Sequence, residues 1–239
     1  MKTKLLYAGL FALIVTALGF NPAAAADFSV TITNSTHGVY FTPLLITAHA
    51  DTIHLFELGQ PASTEIQAMA EGGDITGLAT AVGGADDDTV DNPAAGLLGP
   101  GASVTASLNT DTTGNPVLSL VAMILPTNDG FVGLDSLVIP QTPGTYTYLL
   151  NAYDAGTEAN DEQLVGGAGG VPGTPGMPAD PGGLAGSSGT GVTASEENST
   201  VHIHRGTLGD TDPTGGASDL DSTVHRWLNP VAKLVIDVQ

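Results

Sequence analysis

The chain has 239 residues, with 25 Asp and Glu against five Lys and Arg, and its formal net charge is −20. A nucleic-acid-binding role is excluded because such proteins need a basic surface. The same acidity repels anionic lipid, helps solubility in salt and favours divalent cations. Adaptation to a saline habitat would account for the bulk charge equally well. There are no cysteines, so an exported form would be held together by its core and by any bound metal.

The first 26 residues have the layout of a secretory signal peptide. Lys2 and Lys4 precede an apolar stretch over residues 5–20, and the small residues Ala24 to Ala26 suit a cleavage site near Ala26. The apolar stretch is short for a membrane span. We therefore expect no transmembrane anchor, a secreted (extracellular or periplasmic) protein, and one domain over residues 27–239.

Alternating or continuous apolar residues predict an all-β fold. Phe28 to Thr33 alternates strictly, and Pro43 interrupts a second extended segment over residues 39–49. Further strands are predicted at 103–108, 118–125, 137–139, 145–150, 200–203 and 231–238. The segments 137–139 and 145–150 flank a turn at Pro140 to Gly144 and are expected to form a hairpin-like pair. These strands predict an antiparallel β-sandwich.

Two segments depart from the strand pattern. Residues 62–81 predict a short helical insertion, with Ile66, Met69 and Ala70 on one face and a helix start at Ser63 to Glu65. Residues 166–191 are rich in Gly and Pro and have little apolar mass, so we expect a flexible insertion between sandwich strands.

Two acidic, glycine-containing segments follow strand-like runs. Asp129 lies in the first, over residues 128–135, and Asp154 and Glu158 lie in the second, around Gly156. Strands that carry carboxylates to the same end of a sandwich would create an oxygen-lined pocket, which suits Ca²⁺. The alternative is a solvated acidic loop in an acidic protein.

These segments resemble known motifs. MILPTNDGFVGLDSL, at residues 123–137, resembles the MxxPSPDWxVGxxxL motif of the spondin domain, and YDAGTE, at residues 153–158, resembles that family's W/Y-DAGTD. The resemblance implies a β-sandwich related to C2 domains, with Ca²⁺ held by Asp129, Asp154 and Glu158. Glu158 replaces the family's Asp. A further upstream acid occurs in animal members, and Asp111 is the nearest acid here, without a secure register.

The implied role is extracellular adhesion or surface recognition, not catalysis. The partner would be an unidentified extracellular surface, glycan or protein, and the oligomeric state is open. The alternative is a structural extracellular-matrix protein that uses calcium only for fold stability. The chain has no GxSxG, HExxH or phosphate-loop motif and no cysteine nucleophile.

Three other features suggest metals or packing. His202 and His204 alternate along a predicted strand and, with His225, are a weak candidate for a transition-metal site in a metal-dependent enzyme. Residues 210–221 form an acidic loop that lacks the order of a Ca²⁺ loop. Trp227, the single tryptophan, is expected to pack in the core.

Overall fold

A computed structural model describes residues 27–83 and 88–239. The predicted signal peptide lies outside the described residues, as does most of the acidic run at 85–88. Ten strands and two short helices alternate with long irregular segments. The strands are β1 (Asp27–Asn34), β2 (Tyr40–Phe41), β3 (Leu45–His49), β4 (Thr89–Asp91), β5 (Ser103–Asn109), β6 (Val117–Leu125), β7 (Gly130–Val138), β8 (Gly144–Asp154), β9 (His202–Ile203) and β10 (Ala232–Val238). The helices are α1 (Thr64–Gly72) and α2 (Thr76–Ala81).

The strands form one antiparallel sheet that folds over on itself. Their order is β4-β3-β6-β7-β8-β10-β1-β5, with β2 paired to β6 and β9 to β8. The long strand β8 joins the two halves, because residues 144–150 pair with β10 and residues 151–154 pair with β7. The outermost strands β4 and β5 come close to each other, so the sheet is nearly closed. The predicted all-β, antiparallel fold with a small helical insertion is confirmed.

The core lies between the two halves of the sheet. Phe28, Val30 and Ile32 of β1 point inward at every second position, which is the alternation seen in the sequence. Every residue of β6 is buried. One face of β6 meets the opposite half of the sheet through Leu118 and Leu120, and the other face meets α1. This double burial explains why β6 reads as a continuous apolar run.

Helix α1 begins and ends where its sequence predicts. The Ser63 hydroxyl accepts a hydrogen bond from the Ile66 N–H and caps the first turn. Gly73 ends the helix in the left-handed region at φ 73°. Ile66, Met69 and Ala70 are buried against β6, with Val121 and Met123 in the same cluster. The predicted helical insertion is thus two helices separated by a glycine break.

The hairpin prediction is wrong in its pairing. Leu137 and Val138 pair with β6, whereas Thr145 to Leu150 pair with β10. The ladder between β7 and β8 runs from the pair Gly130 and Asp154 to the pair Gly133 and Asn151. The chain after Gly144 has therefore already left β7 for the other half of the sheet, a non-local preference that local turn residues do not encode.

Residues 155–231 contain little regular structure. The Gly/Pro-rich segment 166–191 holds one 3₁₀ turn, Gly166–Ala168, and one fully buried apolar side chain, Met177. Its mobility stays a prediction. β9 is shorter than the predicted strand at 200–203. No helix in residues 27–83 and 88–239 is both long and apolar enough to cross a bilayer.

Candidate functional site

Two strands bring the three predicted acids to one end of the sheet. Asp129 immediately precedes β7, Asp154 ends β8, and Gly130 pairs with Asp154 in the ladder. Glu158 follows four residues after Asp154. All three carboxylates are buried, Asp129 completely. The first acidic segment is not a loop throughout, however: residues 130–135 belong to β7, and the loop is limited to residues 126–129.

Asp129 ties the two motifs together. Its Oδ2 accepts hydrogen bonds from the Thr157 N–H at 2.8 Å and the Glu158 N–H at 3.1 Å, and a third from the Thr157 hydroxyl. The Asp129 carbonyl accepts from the Ala155 N–H. Its Oδ1 is buried and has no hydrogen-bond partner. One oxygen of Asp129 thus fixes the second loop, and the other remains free.

Asp154 lies at the start of the second loop. Its Oδ1 accepts from the Gly156 N–H at 2.8 Å, and its Oδ2 accepts from Asn160 Nδ2 at 2.7 Å. The same Asn160 amide group donates to Glu196 at 3.0 Å. His202 Nε2 lies 3.8 Å from Asp154 Oδ2. Both oxygens of Asp154 are therefore already satisfied within the chain.

Glu158 has one engaged and one free oxygen. Its Oε2 accepts from the Gly176 N–H at 3.1 Å, with the Asn128 amide at 3.4 Å. Its Oε1 is buried without a partner. A second buried acid, Glu71 of α1, is close enough for its charge to raise the pKa of Glu158. The sequence did not predict Glu71 as part of this site. The one indication in the sequence is that Glu71 lies next to Met69 and Ala70, on the face that α1 buries.

Burial makes these carboxyl groups harder to ionise. It raises the pKa of Asp129 to about 7, and the Asp154 charge adds to the effect against the hydrogen bonds from Thr157 and Glu158. Burial also raises the pKa of Glu158 to about 8, with further contributions from Glu71 and Asp129. The pKa of Asp154 is likewise raised, mainly by burial. A cluster with these properties is stabilised by a proton or by a cation.

Glycines allow this close approach. Gly156 adopts φ +70°, and a Cβ there would lie 2.8 Å from the Asn198 carbonyl oxygen. A Cβ on Gly130 would lie 2.8 Å from the Thr127 hydroxyl. That hydroxyl accepts from the Gly130 N–H and so closes the turn that holds Asp129. A side chain at Gly130 or Gly156 would therefore meet these atoms, and Gly156 is also favoured by its backbone angle.

The carboxylate oxygens of this site suit a hard cation such as Ca²⁺ only in part. The buried, unpartnered oxygens of Asp129 and Glu158 match the oxygen ligands that Ca²⁺ prefers. Within residues 27–83 and 88–239, however, no three His, Asp or Glu side chains converge as a preformed metal site. The reason is visible in the contacts: Asp129 Oδ2 turns toward the 157–158 backbone, whereas Glu158 Oε2 turns toward Gly176.

Two other acids, Asp111 and Asp135, lie away from the three predicted ligands. Asp111 is exposed and follows β5, whose end residue Asn109 pairs with Asp27. Next to Asp27 in β1, Phe28 pairs with Val238 of β10, and Val238 pairs with Gly144 of β8. Gly144 begins β8 and Asp154 ends it, so Asp111 lies at the opposite end of the sheet from Asp154. Asp135 lies within β7 and contacts His54 Nδ1 at 2.6 Å. Neither acid joins the three predicted ligands.

The candidate histidines do not form a cluster. His204 is buried beside Trp227, with ring centroids 4.8 Å apart, and burial lowers its pKa to about 3. His202 lies beside Asp154, whereas His225 Nε2 lies 3.6 Å from Asp180. β9 ends at Ile203, but the His204 N–H still donates to the Ala152 carbonyl, and Ile203 is exposed between the two less exposed histidines. Trp227 belongs to the core, as predicted.

Acids of residues 210–221 accept hydrogen bonds from backbone N–H groups, either within their own loop or in other irregular segments. Asp210 Oδ2 accepts from the Ala217 and Ser218 N–H groups, which lower its pKa together with the Asp212 N–H. Asp219 is buried and accepts from the Leu164 and Gly189 N–H groups. These carboxylates close turns and join the long irregular segments.

No curated protein matches the chain. A family model described as Spondin_N matches residues 27–162, more than half of the chain, and this stretch contains Asp129, Asp154, Glu158 and Glu71. The chain therefore belongs to the Spondin_N family.

Proposed function

We propose that the protein is exported, binds Ca²⁺ through Asp129, Asp154 and Glu158, and acts in adhesion or recognition at an extracellular surface. The observation that carries the metal assignment is the pair of buried, unpartnered oxygens, Asp129 Oδ1 and Glu158 Oε1, in a group of buried acids. Ion binding would draw these oxygens together, with main-chain carbonyls and waters as further ligands.

The bound ion would supply charge neutralisation and rigidity. Asp129 already joins the loop at 126–129 to the loop at 155–158, and Glu158 extends the link to Gly176. A cation on the remaining oxygens would offset the repulsion among the acids and hold this end of the sheet in one arrangement. The rigid edge would then present its surface loops to a partner.

Metal content and thermal melts test the calcium site. Purified protein is expected to retain calcium, to lose it to a chelator, and to melt at a lower temperature after chelation. At free Ca²⁺ a hundred times the dissociation constant, binding adds about 2.7 kcal/mol to the free energy of unfolding. An unchanged melt across millimolar Ca²⁺, with no bound metal, would contradict the proposal. Retained zinc would instead favour the metal-enzyme alternative.

A retention assay separates surface recognition from a purely structural matrix role. Fluorescently labelled protein is incubated with cell surfaces and immobilised glycans, with Ca²⁺ or with chelator. Selective retention that chelation abolishes supports recognition. If chelation only lowers the melting temperature and no surface retains the protein, calcium serves fold stability alone.

A further inference from the structure

A second candidate site lies away from the three acids, where the segment before α1 crosses β7 and β8. Two adjoining depressions flank residues 54–57. The larger has a volume of about 410 Å³ and the smaller about 180 Å³. His54, Phe56 and Glu57 line both. None of Asp129, Asp154 and Glu158 lines either one.

Phe56 anchors this segment to the sheet. Its ring is buried, stands edge-on to Phe131 at 5.1 Å and lies 4.9 Å from Tyr153. A Cβ on Gly133 would lie 2.8 Å from the Phe56 ring, so this motif glycine makes room for the phenylalanine. The Leu55 N–H and His54 Nδ1 both contact Asp135, at 2.6 Å each. The walls of the depressions are therefore fixed by packing and hydrogen bonds.

The larger depression combines carboxylates with apolar walls. Glu57 and Asp135 supply the carboxylates, with Asp135 already paired with His54, and Leu58, Leu134, Phe56 and Tyr153 supply the apolar and aromatic surface. Leu58 is 57% exposed, so its apolar surface remains open to solvent. Neither depression is lined by Lys or Arg. The smaller one is lined by Leu55, Pro61, Ala62 and Val201 with few charges.

We propose that these two depressions bind an extended basic segment of a partner protein, with an Arg or Lys side chain in the larger and an apolar side chain in the smaller. Charge complementarity selects this occupant: the chain has a net charge of −20, Asp135 is already paired with His54, and Glu57 is an exposed carboxylate in a depression that no Lys or Arg lines. Aromatic faces add cation–π attraction to the guanidinium or ammonium group. Residues two apart in an extended chain point to the same side, so side chains at such positions would enter two depressions that share His54, Phe56 and Glu57 in their walls.

The test uses the full mature chain and a fluorescein-labelled peptide that carries one arginine and one leucine two positions apart. A matched probe replaces arginine with citrulline, which keeps the shape without the charge. Fluorescence polarisation is expected to show saturable binding of the arginine peptide and weaker binding of the citrulline peptide. Binding should persist after chelation, because the depressions share no residue with the calcium site.

Two variants with the same charge change locate the binding surface. Glu57→Gln should weaken the arginine peptide roughly fivefold, as for a partly exposed ion pair. The same variant should bind the citrulline peptide as well as the unmodified protein does. The difference between the two losses measures the coupling between the Glu57 carboxylate and the arginine of the peptide. Glu197→Gln, at an exposed acid outside both depressions, should leave binding unchanged.

Three results would overturn the proposal. Equal losses in Glu57→Gln and Glu197→Gln would show that bulk acidity attracts the peptide. Equal binding of arginine and citrulline peptides, or preferential binding of a neutral oligosaccharide, would show that the depressions do not select a cation. Absence of saturable binding, with thermal melts confirming folded protein, would leave the depressions without this function.

Discussion

At the scale of single residues, the chain uses buried carboxylates as acceptors for backbone N–H groups. Asp129 holds the 157–158 turn, and Glu162 accepts from Leu208 and Gly209 while lying within the long irregular region. These contacts give several of the 25 acids a structural task. Asp129 and Glu158 each also keep one buried oxygen without a hydrogen-bond partner.

Asp154→Asn should weaken Ca²⁺ binding far more than Asp111→Asn. Both changes remove one negative charge, but Asp154 is buried beside Asp129, whereas Asp111 is exposed at the opposite end of the sheet. Asn keeps the shape of the side chain and removes the charge that attracts the ion. Calorimetric titration measures the affinities. Equal losses would show that the overall acidity, rather than a built site, holds calcium.

His54 should titrate above its ordinary value. The hydrogen bond that His54 donates to Asp135, and then the charge of Asp135, raise the pKa of the imidazole. The stabilisation from this pair is therefore complete below the ordinary histidine pKa, and it fades as pH rises through the folded-state pKa. NMR titration should show this pKa fall in Asp135→Asn and stay unchanged in Asp51→Asn. A wild-type pKa at or below the ordinary value would contradict the pairing.

At the scale of elements, local sequence gave correct strands and helices where neighbours in sequence decide the outcome. Three such features depend only on residues a few positions away. They are the alternation of β1, the cap at Ser63 and the glycine that ends α1. The hairpin at 137–150 failed because β10, more than 80 residues later in sequence, takes the pairing edge of β8. For residues 166–191, too, the prediction rests on local composition, which favours a mobile segment. Contacts with distant residues could instead hold this segment in place.

Met177→Ala tests whether that segment is part of the packed structure. Met177 is fully buried, and its N–H donates to the Gln163 carbonyl. Removal of a buried Met side chain costs about 2 kcal/mol at the low end of measured values, whereas Val171→Ala, at a 56% exposed position, should change the stability by under about 0.5 kcal/mol. Denaturant unfolding measures both. Equal, negligible effects would support a segment that moves freely.

At the scale of the whole molecule, the sheet is completed by its last strand. β10 lies between β8 and β1, and its residues Leu234 and Ile236 are fully buried. The segment that follows the family match at residues 27–162 thus contributes a central strand to the same sheet.

Deletion of residues 200–239 should abolish cooperative folding. The truncated chain loses β9 and β10, so both β8 and β1 would have an unpaired edge and the core would open to water. Circular dichroism and a thermal melt should show an unfolded or aggregated chain. A truncated form that still melts cooperatively would mean that the domain ends before residue 166.

The sequence by itself determined the fold class, the family motifs and the three acids at one end of the sheet, because alternation, glycine positions and motif spacing are local properties of the chain. Only the tertiary structure decided the partners of the other side chains. It joined Asp135 to His54, brought Glu71 of α1 toward Glu158, and placed His204 against Trp227. These contacts join residues between 23 and 87 positions apart, so the packing of distant elements sets them.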